Sequence, residues 1–160
     1  MEQHLPLKQQ VSYNELYNSF DKKIHIYDKI ILENSSLIQV CKYKPDFTNF
    51  DDKVIFSIDG YLSGFIICSI EDMNKENTSI YTESMNILLG IFLTNLGKES
   101  GTLNTLTPPK VISINHTFFK SLEERQFDIN LKVHYKSFST EASTNCDIYI
   151  LANHSKAKKV

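Results

Sequence analysis

The stretch FDINLKVHYK, residues 127–136, alternates apolar and polar side chains without interruption. Successive side chains of a strand point to opposite faces. This run therefore puts Phe127, Ile129, Leu131, Val133 and Tyr135 on a core and Asp128, Asn130, Lys132, His134 and Lys136 on the other side. A lone strand of this kind has nothing to bury against, so the chain must supply both a sheet and a layer to cover it.

Partner strands are legible along the chain. Residues 24–32 and 37–43 alternate more loosely around the polar pair Asn34-Ser35 and predict two strands joined by a turn, followed by a loop at Pro45 and DFTNFDDK. KVIFSIDGYLSGFIICSIE holds two β-branched and aromatic runs around Gly60 and Gly64, the pattern of a hairpin of well-buried strands. A loop ending in Pro108-Pro109 precedes a short VISI strand, and CDIYIL predicts the last one.

Ser12 and Glu15 have the spacing of a capping box, with Leu16 and Phe20 at a helical interval, so residues 12–20 predict a short helix. The covering layer is one long helix, expected from Thr82 as N-cap to Gly97 as C′ residue. Strands and helix are segregated and do not alternate as βαβ units. The expected fold is α+β, an antiparallel sheet packed against one long helix. The 160 residues suit a single domain, with residues 1–10 and 155–160 flexible at its ends.

Spaced at 100° per residue, Met85, Leu88, Leu89, Phe92 and Leu96 gather on one side of the helix, and Glu83, Asn86, Gly90, Thr94 and Gly97 on the other. A solvated stripe ordinarily carries Lys, Glu, Gln or Arg. Gly90 in mid-helix costs about 1 kcal/mol against alanine. That cost asks for a close approach at this point, by the protein's own sheet or by another protein's backbone. Glu83 has an ordinary explanation as a first-turn carboxylate complementing the helix dipole. Asn86 has none, being a mediocre helix former whose amide both donates and accepts.

Composition narrows function by exclusion. Net charge is −2 and the basic cluster is confined to Lys156, Lys158 and Lys159, so neither nucleic acid nor an anionic membrane is an expected partner. No apolar run approaches the length of a membrane span, and MEQHLPLKQQ lacks the pattern of a signal sequence. Cys41, Cys68 and Cys146 are odd in number and far apart, which argues against a disulfide framework or a CxxC site and for a reducing, cytoplasmic setting. His4, His25, His116, His134 and His154 show no paired metal spacing and read as solvated residues. Ser63 is not in a G-x-S-x-G elbow, and Phe118-Phe119 reads as core or interface packing.

TESMNILLGIFLTNL followed by TPPKVISI resembles the CheC/CheX/FliY chemotaxis phosphatases, in which a helix bears Glu-x-x-Asn with Gly four residues after the Asn. Glu83, Asn86 and Gly90 match that pattern, Ser84 stands where an aliphatic residue is common, and the hairpin DGYLSGFIICSI resembles the family's paired strands. The likeness covers residues 53–115. The tetrapeptide also occurs at Glu15-Leu16-Tyr17-Asn18 and Glu71-Asp72-Met73-Asn74, without the glycine or a long helix behind it. Some members carry two motifs, so Glu15 and Asn18 are either the remnant of a second one or, as preferred here, Glu15 is a helix cap.

The resemblance implies a phosphatase for a phospho-aspartyl CheY-type response regulator in chemotaxis signalling. The regulator would supply Mg2+ and a lysine, and this chain would bind no cofactor. Its catalytic contribution would be Asn86, orienting the attacking water as Gln does in GTPases, and Glu83, pairing with the regulator's lysine. Ile87, Gly90 and Thr94 would contact the partner. A homodimer is also implied, since exposed sheet edges need cover. Two alternatives stand beside this reading. One is a module of the same fold that binds a regulator or a motor component without hydrolysis. The other is a hot-dog thioesterase, in which Glu83 and Asn86 face a tunnel at a dimer interface.

Overall fold

The strands predicted from these patterns assemble into one antiparallel sheet whose two faces are covered unequally. The computed structural model describes residues 11–20, 23–26, 30–34, 39–40, 53–71, 76, 78–112, 117–138 and 143–155. Strands β1 (Lys23–Ile26), β2 (Ile30–Asn34), β3 (Gln39–Val40), β4 (Lys53–Gly60), β5 (Leu62–Ile70), β6 (Asn104–Leu106), β7 (Lys110–Ile112), β8 (Ile129–Phe138) and β9 (Ser143–His154) lie in the order β1-β2-β8-β9-β5-β4-β6. β3 sits beside β8 and β7 beside β4. Three helices complete the described chain: α1 (Tyr13–Asn18), α2 (Thr78–Ser100) and α3 (Thr117–Glu123).

One face of the sheet packs on α2. Val54, Phe56 and Ile58 of β4, Ile66 and Cys68 of β5, Leu131, Val133 and Tyr135 of β8, and Ile148 and Ile150 of β9 meet Met85, Leu88, Leu89, Phe92 and Leu96 in one buried cluster. α1 plugs the flank of this cluster with Leu16 and Phe20, the latter stacked on Phe92 at 4.1 Å between ring centroids. The plug is pinned at both ends: Val11 N–H donates to His154 Nε2 at 3.0 Å, and Asn95 Nδ2 donates to the Ser19 carbonyl at 3.0 Å. α3 covers half of the other face, burying Phe119 and Leu122 on Ile55, Ile67, Tyr149 and Leu151. This explains a contrast in the sequence: β4 and β5 are covered on both sides and read as continuous apolar runs, whereas β8 alternates. Its outer positions form a polar network, in which His134 Nδ1 lies 2.9 Å from Asp147 Oδ1 and Nε2 lies 3.1 Å from Asn145 Oδ1.

The topology repeats. A helix, two short strands and a hairpin (α1, β2, β3, β4–β5) are followed by a second helix, two short strands and a hairpin (α2, β6, β7, β8–β9), with β1 added to the first set and α3 to the second. The sets interleave: β2 and β3 both pair with β8, and β6 and β7 both pair with β4. They meet at β5 and β9, which run in register from Leu62↔His154 to Ile70↔Cys146. At Gly64, opposite Ala152, the two backbones approach so closely that an added Cβ would run into the Leu151 carbonyl and lie 2.6 Å from Ala152 Cα.

Several expectations need correction. The run at 24–32 is a hairpin of β1 and β2 and not one strand. β6 falls where loop was expected, α3 falls where no element was expected, and residues 41–52 lie outside the described residues, including Cys41 and the loop at Pro45. Phe127 precedes β8 and packs on the second face with Phe65, so the alternation begins to act as a strand at Ile129. The long helix starts one turn before Thr82 and ends one turn after Gly97: Tyr81 packs on the core and draws the polar segment 78–81 into the helix. Gly101, with φ 72°, takes the C′ role that Gly97 was expected to play. His134 and His154 are hydrogen-bonded, not merely solvated, while His4 and His116 lie outside the described residues. At the C-terminus, the Ser155 N–H donates to the Tyr61 carbonyl, and residues 156–160 lie outside the described set, as do residues 1–10.

Cys68 and Cys146 are free, buried thiols. Burial pushes both well above the ordinary thiol range, helped by their mutual proximity for Cys68 and by Asp147 for Cys146. Ser84 is also fully buried on the core side of α2, and its hydroxyl has no hydrogen-bond partner. An apolar side chain fits such a site better. Ser84→Ala is expected to raise stability by about 1 kcal/mol, because it removes an unpaired polar group and improves helix propensity. A lowered urea midpoint would show that the hydroxyl is satisfied after all.

Candidate functional site on the outer face of α2

Burying Met85, Leu88, Leu89, Phe92 and Leu96 fixes the rotation of α2, and the residues between them must face outward. Glu83 and Asn86 are both exposed, one turn apart. They line an open depression with Thr78, Ser79, Thr82 and Pro109. Pro109 comes from the turn between β6 and β7, so the depression is built where the helix passes this short-stranded sheet edge. Neither side chain is hydrogen-bonded to another described residue. Thr82, expected as N-cap, is a helical residue of this wall whose hydroxyl oxygen is buried and unpartnered.

The longer helix removes the ordinary explanation for Glu83. A carboxylate gains from the helix dipole within the first turn. Glu83 is the sixth residue of α2, and no acidic residue lies in the first turn. Gly90 loses its intramolecular explanation in the same way: a Cβ added there would meet nothing within 4 Å, so the sheet does not approach it. Gly97 differs, since its added Cβ would lie 2.9 Å from the Thr102 carbonyl. Thr94 is exposed and donates its hydroxyl to the Gly90 carbonyl at 2.9 Å, which satisfies both groups within the helix.

Gly90→Ala is therefore expected to stabilise the protein by roughly 1 kcal/mol, the propensity difference in an unobstructed helix. A fall in melting temperature would mean that the position is crowded.

Large hydrophobic residues exposed among the described residues are Ile80, Ile87, Leu103 and Val111. Ile80 and Ile87 flank Glu83 along α2, Val111 follows Pro109 on β7, and Leu103 lies just beyond the far end of the helix. Single exposed apolar residues are ordinary, but these four surround one helix face. Ile87, predicted as a partner contact, is 41% exposed.

The other Glu-x-x-Asn sequences have different surroundings. Glu15 is the topological counterpart of the motif on α2, but its carboxylate accepts from the Ser12 N–H at 2.9 Å and Ser12 Oγ accepts from the Glu15 N–H at 3.1 Å. This capping box and the six-residue length of α1 leave no comparable exposed helix face. Glu71 accepts from the Asn145 side-chain amide at 3.1 Å, and residues 72–74 lie outside the described set.

Chemically, the outer face of α2 offers a carboxylate and a neutral amide in open solvent, with hydroxyls but no histidine or cysteine among the described residues that line the depression. Among the described residues no group of three or more His, Cys, Asp or Glu side chains is placed to hold a metal ion. No described helix is long and apolar enough to cross a membrane.

No family model and no curated protein matches the sequence. Solved structures do. A chain of the CheX–CheY–BeF3–Mg2+ complex from Borrelia burgdorferi matches with a TM-score of 0.51 at 15% identity, over 91% of this chain and 100% of that one. A CheC-like superfamily protein from Shewanella sp. PV-4 matches with a TM-score of 0.45 at 15% identity, over 93% and 98% of the two chains. FliY from Thermotoga maritima gives 0.47 at 12% identity, over 90% and 84%. The antiparallel sheet with one long helix that this sequence builds is thus similar in fold to CheX.

Proposed function

We propose that the protein hydrolyses the aspartyl phosphate of a CheY-type response regulator, using the outer face of α2. The observation that carries this reading is the pair Glu83 and Asn86, exposed on one turn without hydrogen-bond partners among the described residues, with Gly90 open to space one turn further on. Each is costly or unexplained within the monomer and useful to a docked partner. The fold likeness supports the reading, because the matched structure from Borrelia burgdorferi is a complex of CheX with CheY.

In the reaction, a water oxygen attacks phosphorus as the bond to the aspartyl oxygen breaks, releasing the carboxylate and orthophosphate. The regulator carries the phosphoryl group together with a metal ion and a lysine that neutralise charge. An in-line water remains to be held. Asn86 suits this task because its amide accepts from or donates to a water without itself titrating. Glu83 pairs with the regulator's lysine and fixes the helix in register over the phosphoryl group. Gly90 admits the partner's backbone, with Ile87 and Thr94 beside it.

The test is the decay of a phosphorylated CheY-type regulator encoded in the same genome, with and without the protein. Accelerated release of orthophosphate is the expected result. Binding of the activated regulator without acceleration would instead support the non-hydrolytic module. The thioesterase alternative needs a tunnel beside the pair, whereas the depression at Glu83 and Asn86 is open in the chain itself. Gly90→Ala links fold and function here: the variant that is more stable is expected to bind the regulator more weakly, as an added methyl meets the incoming backbone.

A further inference from the structure

Beyond Gly90 the outer face of α2 leads into a groove of about 300 Å³ lined by Leu93, Thr94, Gly97, Leu103 and Leu106. Its rim is Leu103, 80% exposed, the most exposed large hydrophobic residue among those described. An exposed leucine on a slack loop would mean little, but this one is clamped. The Leu103 carbonyl accepts from the Tyr61 N–H at 3.0 Å, and the next side chain, Asn104, accepts through Oδ1 from the Leu62 N–H at 2.7 Å. Thr102, just before it, is buried, with its Oγ1 2.8 Å from Ser100 Oγ.

Three glycines serve this one loop. Gly101 turns the chain out of α2 at positive φ, Gly97 lets the Thr102 carbonyl lie against the helix, and Gly60 gives way where an added Cβ would strike the Leu103 carbonyl. The fold thus fixes the backbone of a residue whose side chain it leaves in solvent. An apolar side chain presented on a backbone already fixed before binding spares the entropy of ordering that loop when a partner covers it, a form of preorganisation.

We propose that Leu103 is the apolar anchor for the receiver domain that docks on α2, packing with an apolar side chain of that partner seated in the groove beside it. The proposal rests on the docking reading above. Its basis is continuity: Gly90 belongs both to the stripe that bears Asn86 and to the groove, and Asn86 and Gly97 are about 16 Å apart along the helix at 1.5 Å per residue. A partner of domain size over Asn86 covers the groove as well. Leu103 acts in affinity and leaves the chemistry to Asn86.

The test titrates the regulator, loaded with beryllofluoride and Mg2+, against wild type, Leu103→Asp and Leu103→Met, and follows phosphoryl decay in parallel. Leu103→Asp is expected to raise Kd and KM about tenfold or more with kcat unchanged, and Leu103→Met to stay near wild type. Melting temperatures of both variants should match wild type, since the side chain is in solvent. An unchanged Kd in Leu103→Asp overturns the proposal, and so does a lowered kcat at saturation. A shift from dimer to monomer by light scattering would assign the residue to a second copy of this chain and overturn it too. If wild type binds no activated regulator, the docking reading itself fails, an outcome distinct from binding that ignores Leu103.

Discussion

With the proposed role, Asn86→Ala is expected to lower the acceleration of aspartyl-phosphate hydrolysis by about two to three orders of magnitude, the usual loss when one positioned polar group is removed from the transition state. The same variant leaves the affinity for a beryllofluoride-loaded regulator within about twofold, because a water-orienting amide acts on the reacting atoms and not on the docked ground state. Its fold is unharmed: Asn86 is exposed and alanine is the better helix former, so the melting temperature holds or rises slightly. Glu83→Ala is expected to show the opposite split. A charge-assisted contact is worth about 1.5–3 kcal/mol, which is roughly 10- to 100-fold in affinity. Single-turnover decay at saturating protein, read beside calorimetric affinity, separates the two. Equal losses of affinity in both variants would show that the pair works as one docking contact and that the assignment of water to Asn86 is wrong.

Gly64→Ala is expected to cost about 3 kcal/mol or more, at the upper end of overpacking. The position lies in the middle of the sheet, and the atoms an added methyl would strike are backbone: the Leu151 carbonyl and Ala152 Cα. Side chains could yield, but a strand paired along its whole length cannot withdraw without breaking its ladder. For a domain of this size the melting temperature falls by roughly 6–12 °C. Thermal unfolding of Gly64→Ala beside Gly90→Ala reads two identical chemical changes with opposite expected signs. A Gly64→Ala protein as stable as wild type would mean that β5 and β9 are spaced more widely than described here.

The sequence shows most clearly the elements whose burial is lopsided. β8 could be read from period two because one of its faces is polar, and the apolar stripe of α2 because one of its sides is solvent. Elements held by tertiary contact were harder to see. Three-residue β6 has no period of its own and exists because Asn104, Thr105 and Leu106 pair with Gly60, Asp59 and Ile58. In α3, Phe118 and Phe119 advertised burial but not helix, since seven residues hold too few turns for a pattern. The ends of α2 were displaced because Thr82 and Gly97 are residue types typical of caps, at positions where Tyr81 packs on the core and the Thr102 carbonyl lies against the helix. Glu83, Asn86 and Gly90 were legible as a stripe of unusual composition. Whether Gly90 faced the sheet or open space was not, because a helical wheel gives direction without distance. Leu103 gave no signal at all, since nothing local distinguishes a clamped leucine from a loose one.

The interleaving of the two sets of elements has a bearing on how the chain acquires its structure. A partly made chain that stops at residue 70 can pair β4 with β5 but has no β8 for β2 and β3 and no β9 for β5. That intermediate exposes an apolar sheet edge from its first appearance until the last strand is made. Contacts of such long sequence separation slow folding and lengthen the time spent aggregation-prone. Since β9 spans Ser143–His154, a truncation before Ser143 removes the strand on which the two sets meet. Neither half is then a smaller version of the protein.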